Sequence, residues 1–231
     1  MKLRVATYNI HSCIGRDGAR NTTRIAQVLK EIDADLIALQ EVETLIAHPE
    51  SVLAELEQAA VANAISGFTY LAKQGHFGNV LLSRIPVRAV EHIDISVPGR
   101  EPRGLIDAKL TLGNTNLTIL ATHLGLSPGE RRRQVRGVLS ALASSTADVN
   151  IVLGDFNEWL LWGRSMRWLK RRFNKMPALA TFPAHRPLLS LDRIWVDPAE
   201  RMISLEVHVS ELSKIASDHL PLVAEIEVGN I

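Results

Sequence analysis

The chain has 231 residues, of which 46% are hydrophobic and 22% are charged, and its net charge at neutral pH is +1. This composition is ordinary for a soluble globular protein, and Cys13, the single cysteine, excludes an intrachain disulfide and favours a reducing compartment. The N-terminus leads directly into a predicted strand without a signal region, and no apolar run approaches the length of a membrane span, so we expect a cytoplasmic protein.

Strands and helices alternate along the chain. Apolar runs predict strands over residues 3–9, 35–39, 68–72, 79–83, 87–95, 105–112, 117–122, 150–155, 191–196, 205–209 and 222–228. Apolar residues at spacings of three and four predict helices over 22–32, 49–64, 128–144 and 159–173. We expect Thr22 or Thr23 to cap the first helix. We expect the third helix to have a solvated face that contains Arg131, Arg132, Arg133 and Arg136. The pattern predicts a single α/β domain over 1–231 with mixed sheets.

Polar side chains occur where the predicted strands end. Gly154, Asp155 and Asn157 follow the buried strand at 150–153, which places two oxygen-bearing side chains at its rim. The complete set is Asn9, Glu41, Asn79, His123, Asp155, Asn157, Asp192, Asp218 and His219. A set rich in carboxylate and amide oxygens and without cysteine favours Mg²⁺, Mn²⁺ or Ca²⁺ over zinc.

Each of these residues also has a simpler interpretation. Asp155 and Asn157 could form an Asx turn that caps the next helix. Glu41 could be a solvated acid, His123 a core histidine, and Asp192 the local ion-pair partner of Arg193. The recurrence of such residues at strand ends is what favours a shared site.

Seven short motifs occur in an order that resembles one known family. They are Thr7-Tyr8-Asn9-Ile10-His11, Leu39-Gln40-Glu41, Gly78-Asn79-Val80-Leu81-Leu82-Ser83-Arg84, Thr122-His123-Leu124, Gly154-Asp155-Phe156-Asn157, Leu191-Asp192-Arg193-Ile194 and Ser217-Asp218-His219-Leu220-Pro221. Over residues 5–228 the chain resembles the endonuclease/exonuclease/phosphatase superfamily. This resemblance implies the deoxyribonuclease-I-like fold, a four-layer α/β/β/α sandwich of two mixed sheets with helices outside.

The resemblance also implies a role for each matching residue. Glu41 would be the main carboxylate for Mg²⁺ or Mn²⁺, with Asn9 beside it and Asp218 close by. The resemblance leaves open whether one or two metal ions act. Asp155 would deprotonate the attacking water. The other implied groups are Asn157 and His123 at the phosphate, His219 with its partner Asp192, Asn79 at the rim, and either Arg100 or Arg103 as a phosphate clamp.

The substrate is less constrained. Glu158 and Trp159 follow the Asp155 motif where abasic-site endonucleases are expected to have Val-Ala-His, which argues against that activity. We favour a phosphodiesterase that acts on nucleic acid. The alternatives are a hydrolase of phospholipid headgroups or small phosphate esters at a membrane surface, and a non-catalytic nucleic-acid or lipid-binding module, which the intact catalytic positions disfavour.

The segment 159–175 contains the main local concentration of positive charge. Its basic residues are Arg164, Arg167, Lys170, Arg171, Arg172 and Lys175, without an acid among them. The segment could follow a nucleic-acid backbone, or lie on an anionic membrane with Trp162 and Phe173 inserted. It could equally pack its apolar stripe on the sheet and leave the basic residues solvated. No obligate protein partner is evident.

Overall fold

The computed structural model describes residues 1–44, 49–71, 75–173 and 176–229. Its strands are β1 (Lys2–Asn9), β2 (Leu36–Glu43), β3 (Asn63–Leu71), β4 (His76–Ser83), β5 (Val87–Asp94), β6 (Gly104–Leu112), β7 (Thr115–His123), β8 (Val149–Asp155), β9 (Asp192–Asp197), β10 (Met202–Val207) and β11 (Leu222–Glu227). Its helices are α1 (Thr22–Ile32), α2 (Pro49–Ala60), α3 (Pro128–Ala143), α4 (Arg164–Phe173) and α5 (Ser213–Ala216).

The described strands form two sheets. The first has the order β10-β11-β1-β2-β4-β3 and the second the order β5-β6-β7-β8-β9. β1 pairs with β2 and β7 with β8 in parallel, and the other neighbouring strands pair antiparallel. Both sheets are therefore mixed, as predicted.

Apolar side chains join the layers through three clusters. Val5 and Ile151 belong to the cluster between the two sheets. Leu29 belongs to the cluster that packs α1 and α2 on the first sheet, and Val138 and Phe173 to the cluster that packs α3 and α4 on the second. The order of layers is helix, sheet, sheet, helix, so the predicted α/β/β/α sandwich is confirmed.

Two helix boundaries differ from the predictions. Asn21, rather than Thr22 or Thr23, caps α1, because its extended backbone lets its side chain accept a hydrogen bond from the Arg24 N–H at 3.0 Å. The helix predicted over 49–64 ends at Ala60, because Val61 adopts a positive φ of 53° and Asn63 begins β3. Residue 72, predicted to end a strand, lies outside the described residues.

Two predictions about charged helices also need correction. Arg131 is buried and does not belong to a solvated face, because it forms an ion pair with the buried Glu158. The helix predicted from 159 begins only at Arg164, so Trp159 and Trp162 precede it, and they are 50% and 70% exposed.

Helix α4 itself packs on the second sheet. Its apolar residues Met166, Leu169 and Phe173 are buried, and the Phe173 ring lies 5.7 Å from that of Trp195. Insertion of Phe173 into a membrane, one of the predicted alternatives, is therefore wrong. Lys175 lies outside the described residues. Among the described helices, none has the length and apolar character that crossing a membrane requires.

Candidate active site

A cavity of about 490 Å³ opens where strand ends of the two sheets meet. The predicted site residues that line it are Glu41, Arg103, His123, Asp155, Asn157, Asp218 and His219. Asn9 and Asp192 are buried and contact these residues directly. The structure thus brings together residues that are separated by up to about two hundred positions in the sequence.

Strand register places three of these residues side by side. Asp155 at the end of β8 lies opposite His123 of β7 and opposite Asp192 of β9. Gly154 permits the close approach of β7, because a Cβ atom there would lie 1.8 Å from the Thr122 carbonyl oxygen. The glycine of the motif therefore serves to position Asp155 within this row.

Glu41 reaches the same place through an irregularity in β2. The pairing of β2 with β4 shifts register between Leu39 and Val42, and Glu41 adopts a positive φ of 55°. The Asn9 side-chain amide nitrogen donates to Glu41 Oε1 at 3.0 Å and to Asp155 Oδ2 at 3.1 Å. Burial raises the pKa of Glu41, and the nearby charge of Asp155 adds to this effect. Two acids thus converge on one neutral amide, which leaves excess negative charge.

His219 and Asp192 form a close pair. His219 Nδ1 lies 2.8 Å from Asp192 Oδ2, which also accepts a hydrogen bond from the Thr181 hydroxyl at 2.5 Å. Burial alone would lower the pKa of His219, but Asp192, together with Asp155, raises it to about 10. The imidazole is therefore cationic at neutral pH, and its Nε2 lies 3.8 Å from Asp155 Oδ2. The interpretation of Asp192 as the ion-pair partner of Arg193 is wrong, because Arg193 donates to the Asp192 backbone oxygen and, within the described part of the chain, forms no ion pair with its carboxylate.

His123 has the opposite electrostatic environment. Burial and the adjacent Arg103 charge lower its pKa to about 3, so its imidazole is neutral. Arg103 Nη1 lies 3.1 Å from Nδ1, while the Asn157 amide nitrogen lies 3.0 Å from Nε2. His123 is a buried histidine, as its simpler interpretation supposes, but it also borders the cavity and lies 3.6 Å from Asp155.

Asn157 is fixed by its backbone and by two neighbours. Its φ is 50°, its N–H donates to Asp155 Oδ1 at 2.8 Å, and its side chain donates to the Leu124 carbonyl at 2.8 Å. The Asx turn of the simpler interpretation is present, but it caps no helix, since α4 begins at Arg164. The Asx turn between Asp155 and Asn157 therefore exists together with a position of Asn157 at the cavity, and the simpler interpretation does not exclude a functional one.

Two predicted phosphate ligands do not line the cavity. Arg100 is exposed at a loop, and Asn79 is buried with its amide donating to the Gly104 carbonyl at 3.3 Å. Arg103 is the clamp candidate that faces the cavity, where Glu101 pairs with it at 3.2 Å.

Sequence reasoning missed Glu101 and the residues that surround the histidines. Tyr70, Trp159 and Phe182 also line the cavity, and the Phe182 ring lies 4.9 Å from that of His219. Thr181 and Phe182 are adjacent to a proline in a loop, a pattern without chemical specificity, so no signal identified them. Trp159 could have been found, because it directly follows the Asp155 motif.

Two groups of side chains at the cavity have atoms that could bind a divalent cation. One ligating atom each of Asp155, Asp192 and His219 lie within 4.8 Å of one another. His219 is a poor ligand there, because its Nδ1 lies 2.8 Å from Asp192 and its Nε2 lies 3.8 Å from Asp155, so both nitrogens already face carboxylates. The carboxylates of Glu41 and the half-exposed Asp218 offer oxygen atoms instead. The Asn9 side chain turns its nitrogen toward Glu41, while its oxygen accepts from the His11 N–H at 3.0 Å. This set fits a hard, oxygen-preferring cation.

Comparison with known proteins identifies the class. Residues 6–219 match the sequence model of the Endonuclease/Exonuclease/phosphatase family, and the chain belongs to that family. The chain is 30% identical over 246 residues to "Uncharacterized protein YbhP" of Escherichia coli K12. The alignment covers 97% of this chain and 96% of the relative.

Solved structures share the fold. The endonuclease/exonuclease/phosphatase of Beutenbergia cavernae has a TM-score of 0.79 at 24% identity, covering 99% of this chain and 72% of that one. D. rerio TDP2, solved in complex with single strand DNA product, has a TM-score of 0.72 at 18% identity, covering 98% and 99% of the two chains. The predicted family and fold are therefore confirmed.

Proposed function

We propose that this protein is a divalent-cation-dependent phosphodiesterase that acts on nucleic acid. The observation that carries the proposal is the position of Asp155, a buried carboxylate whose Oδ2 lies within 4 Å of Asn9, His123 and His219. Asp155 as a base, the His219 imidazolium as a positive charge, and neutral hydrogen-bond donors thus lie around one point at the cavity. Attack by water on phosphorus requires these groups.

The chain's own residues would divide the work as follows. Asp155 orients a water molecule and accepts its proton, a contribution of about 10²–10⁴ in rate. Protonated His219, held by Asp192, stabilises the charge that develops on the phosphate oxygens. Arg103 donates to His123 Nδ1, so neutral His123 carries its proton on Nε2 and would donate it to the phosphate, with the Asn157 amide beside it.

Arg103 would supply charge-assisted binding of the phosphate at the cavity wall. A Mg²⁺ or Mn²⁺ ion held by Glu41, with Asn9 and Asp218 beside it, would neutralise the phosphate and steady the leaving oxygen. Asn79, which bonds to the strand that follows Arg103, would support this wall from behind, and Arg100 would reach a longer substrate from its loop.

Nucleic acid is the substrate class with the broadest support. Helices α3 and α4 carry nine basic side chains and one acidic one, whereas α1 and α2 carry two basic and four acidic ones. Tyr70 and Trp159 at the cavity offer aromatic faces on which bases can stack. The fold neighbour TDP2 of D. rerio was solved with single strand DNA product.

A second candidate is a phospholipid headgroup or another small phosphate ester at a membrane surface. The observation that favours it is a run of exposed apolar side chains beside the cavity, at Leu160, Leu161 and Trp162. The single cysteine, Cys13, is free and buried, as suits a reducing compartment, and this supports a cytoplasmic location for either activity.

The test is hydrolysis of four substrates, namely a plasmid, a single-stranded oligonucleotide, a phospholipid vesicle and a chromogenic diester, each with Mg²⁺, Mn²⁺ or chelator. We expect metal-dependent cleavage of a nucleic acid and a loss of at least about 10² in kcat for Asp155→Ala. The matched control is Asp17→Ala, since Asp17 is exposed and remote from the cavity. Cleavage of none of the four by the intact protein would make it a binding module.

A further inference from the structure

Four consecutive residues, Trp159, Leu160, Leu161 and Trp162, form an exposed apolar turn between β8 and α4, which we call the tryptophan turn. Their exposed fractions are 50%, 37%, 38% and 70%. Large apolar side chains that are exposed singly are common, but four in succession form a patch that needs a partner. We propose that the tryptophan turn docks this protein on the surface of an anionic phospholipid bilayer.

The turn is held in shape by its neighbours. The Gly163 N–H donates to the Leu160 carbonyl at 2.8 Å and closes the turn. Lys170 Nζ donates to the Leu161 carbonyl at 2.7 Å, and the Leu160 N–H donates to the buried carboxylate of Glu158 at 3.2 Å. The apolar side chains are therefore presented by an ordered backbone, which reduces the entropy that docking would cost.

Positive charge begins where the turn ends. Arg164, Arg167 and Arg171 are exposed and lie at spacings of three and four on one face of α4, opposite the buried Met166 and Leu169. Among the described residues these three arginines take part in none of the ion pairs, whereas Arg172 pairs with Asp197. An apolar insertion with a basic stripe beside it complements the hydrocarbon boundary and the anionic headgroups of a bilayer.

The identity of the apolar residues separates a bilayer from a nucleic acid. Tryptophan prefers the headgroup level of a membrane, and leucine gains from entering the hydrocarbon below it. Bases stack on aromatic rings, to which Leu160 and Leu161 contribute nothing. Leu126, 69% exposed, lies with Trp159 on the cavity wall, so the apolar surface continues to the mouth of the site.

Docking would therefore place the cavity mouth against the surface to which the protein binds. The proposal concerns the surface alone and holds for any phosphate ester that the site hydrolyses. Its test measures binding with chelator present and without turnover, so its outcome is separate from that of the proposed hydrolysis.

The experiment is flotation of the full-length protein with vesicles of phosphatidylcholine alone or with 30 mol% phosphatidylglycerol. Three forms are compared: wild type, an apolar variant (Leu160→Ser/Leu161→Ser/Trp162→Ser) and a basic variant (Arg164→Glu/Arg167→Glu). Matched controls alter exposed residues elsewhere, namely Val90→Ser/Ile203→Ser and Arg16→Glu/Arg88→Glu. Circular dichroism and urea unfolding establish that each variant is folded.

We expect wild type to bind the anionic vesicles at least about tenfold more tightly than the neutral ones. Each arginine near such a surface contributes roughly fivefold, so the basic variant should lose about 25-fold or more. The apolar variant should lose at least about tenfold, and both controls should bind like wild type. Dibrominated lipids should quench wild-type tryptophan fluorescence, and Trp162→Phe should reduce that quenching.

Three outcomes would overturn the proposal. The first is no binding of wild type to anionic vesicles, and the second is unchanged binding of the apolar variant. The third is a partner of another class, shown by turn-dependent binding of a single-stranded oligonucleotide without vesicle binding, or by concentration-dependent dimers that the apolar variant abolishes.

Discussion

Replacement of Arg131 by methionine should destabilise the protein strongly, although a sequence reading places this residue on a solvated face. Arg131 Nε lies 3.1 Å from Glu158 Oε2, and the two side chains are 1% and 3% exposed. Methionine retains most of the apolar stem but leaves the Glu158 carboxylate buried with only neutral donors, the Ser165 hydroxyl at 2.9 Å and the Leu160 N–H at 3.2 Å. Removal of one partner from a buried ion pair costs about 3–5 kcal/mol.

Urea unfolding with chelator present measures this cost. We expect Arg131→Met to lose about 3 kcal/mol or more, whereas Arg131→Met/Glu158→Leu should recover to within about 1–2 kcal/mol of wild type, because no charge remains buried. Arg132→Met on the same helix, at a partly exposed position, is the matched control and should change stability by less than about 0.5 kcal/mol. A loss below about 1 kcal/mol for the single variant, or a double variant that is worse than either single one, would refute this reasoning.

Three further predictions concern the site. Glu41→Gln should raise the Mg²⁺ concentration for half-maximal activity by more than about tenfold, because it replaces the charged carboxylate proposed as the main ligand by a neutral amide, and a metal titration that superimposes on wild type would contradict this. Asp192→Asn should lower the pKa of His219 and reduce kcat by about 10²–10⁴ above neutral pH, with partial recovery in acid, and a flat kcat–pH profile equal to wild type would contradict it. The pKa of His123 is about 6.5 in the unfolded chain and about 3 in the folded protein. Between these two pH values the unfolded state binds more protons than the folded state. The free energy of unfolding therefore falls as the pH falls. Urea unfolding of chelated protein should therefore show a shallower acid loss for His123→Gln than for wild type, by up to about 1.4 kcal/mol per pH unit, while exposed His92→Gln should follow wild type.

Part of the fold follows from local pattern. Alternation of apolar runs with helical spacing predicts most strands, and the polar residues at their ends predict that Glu41, Asp155 and His219 meet. The row of His123, Asp155 and Asp192 depends on the pairing of β7, β8 and β9 in one register, which apolar spacing does not determine.

Other features depend on tertiary contacts that the sequence does not show. Arg131 precedes the buried Val135 and Val138 at helical spacing, so periodicity favours burial while its charge favours solvent. The ion pair with Glu158, from the loop after β8, decides between the two. The choice of Arg103 over Arg100 likewise depends on how the loop before β6 folds against His123. The spacing of Trp159 and Trp162 continues the helical pattern of α4, so periodicity alone extends that helix too far.

The left-handed backbone at Glu41 and Asn157 has a consequence for evolution and engineering. A residue other than glycine in this region costs roughly 1–2 kcal/mol, and at Glu41 the repulsion from Asp155 adds to that cost. Thermostability screens of this protein without a cation should therefore select replacements of Glu41 by glycine or asparagine, which melt at higher temperature and have lost turnover. Selection for stability alone would erase the site, and only a requirement for activity preserves it.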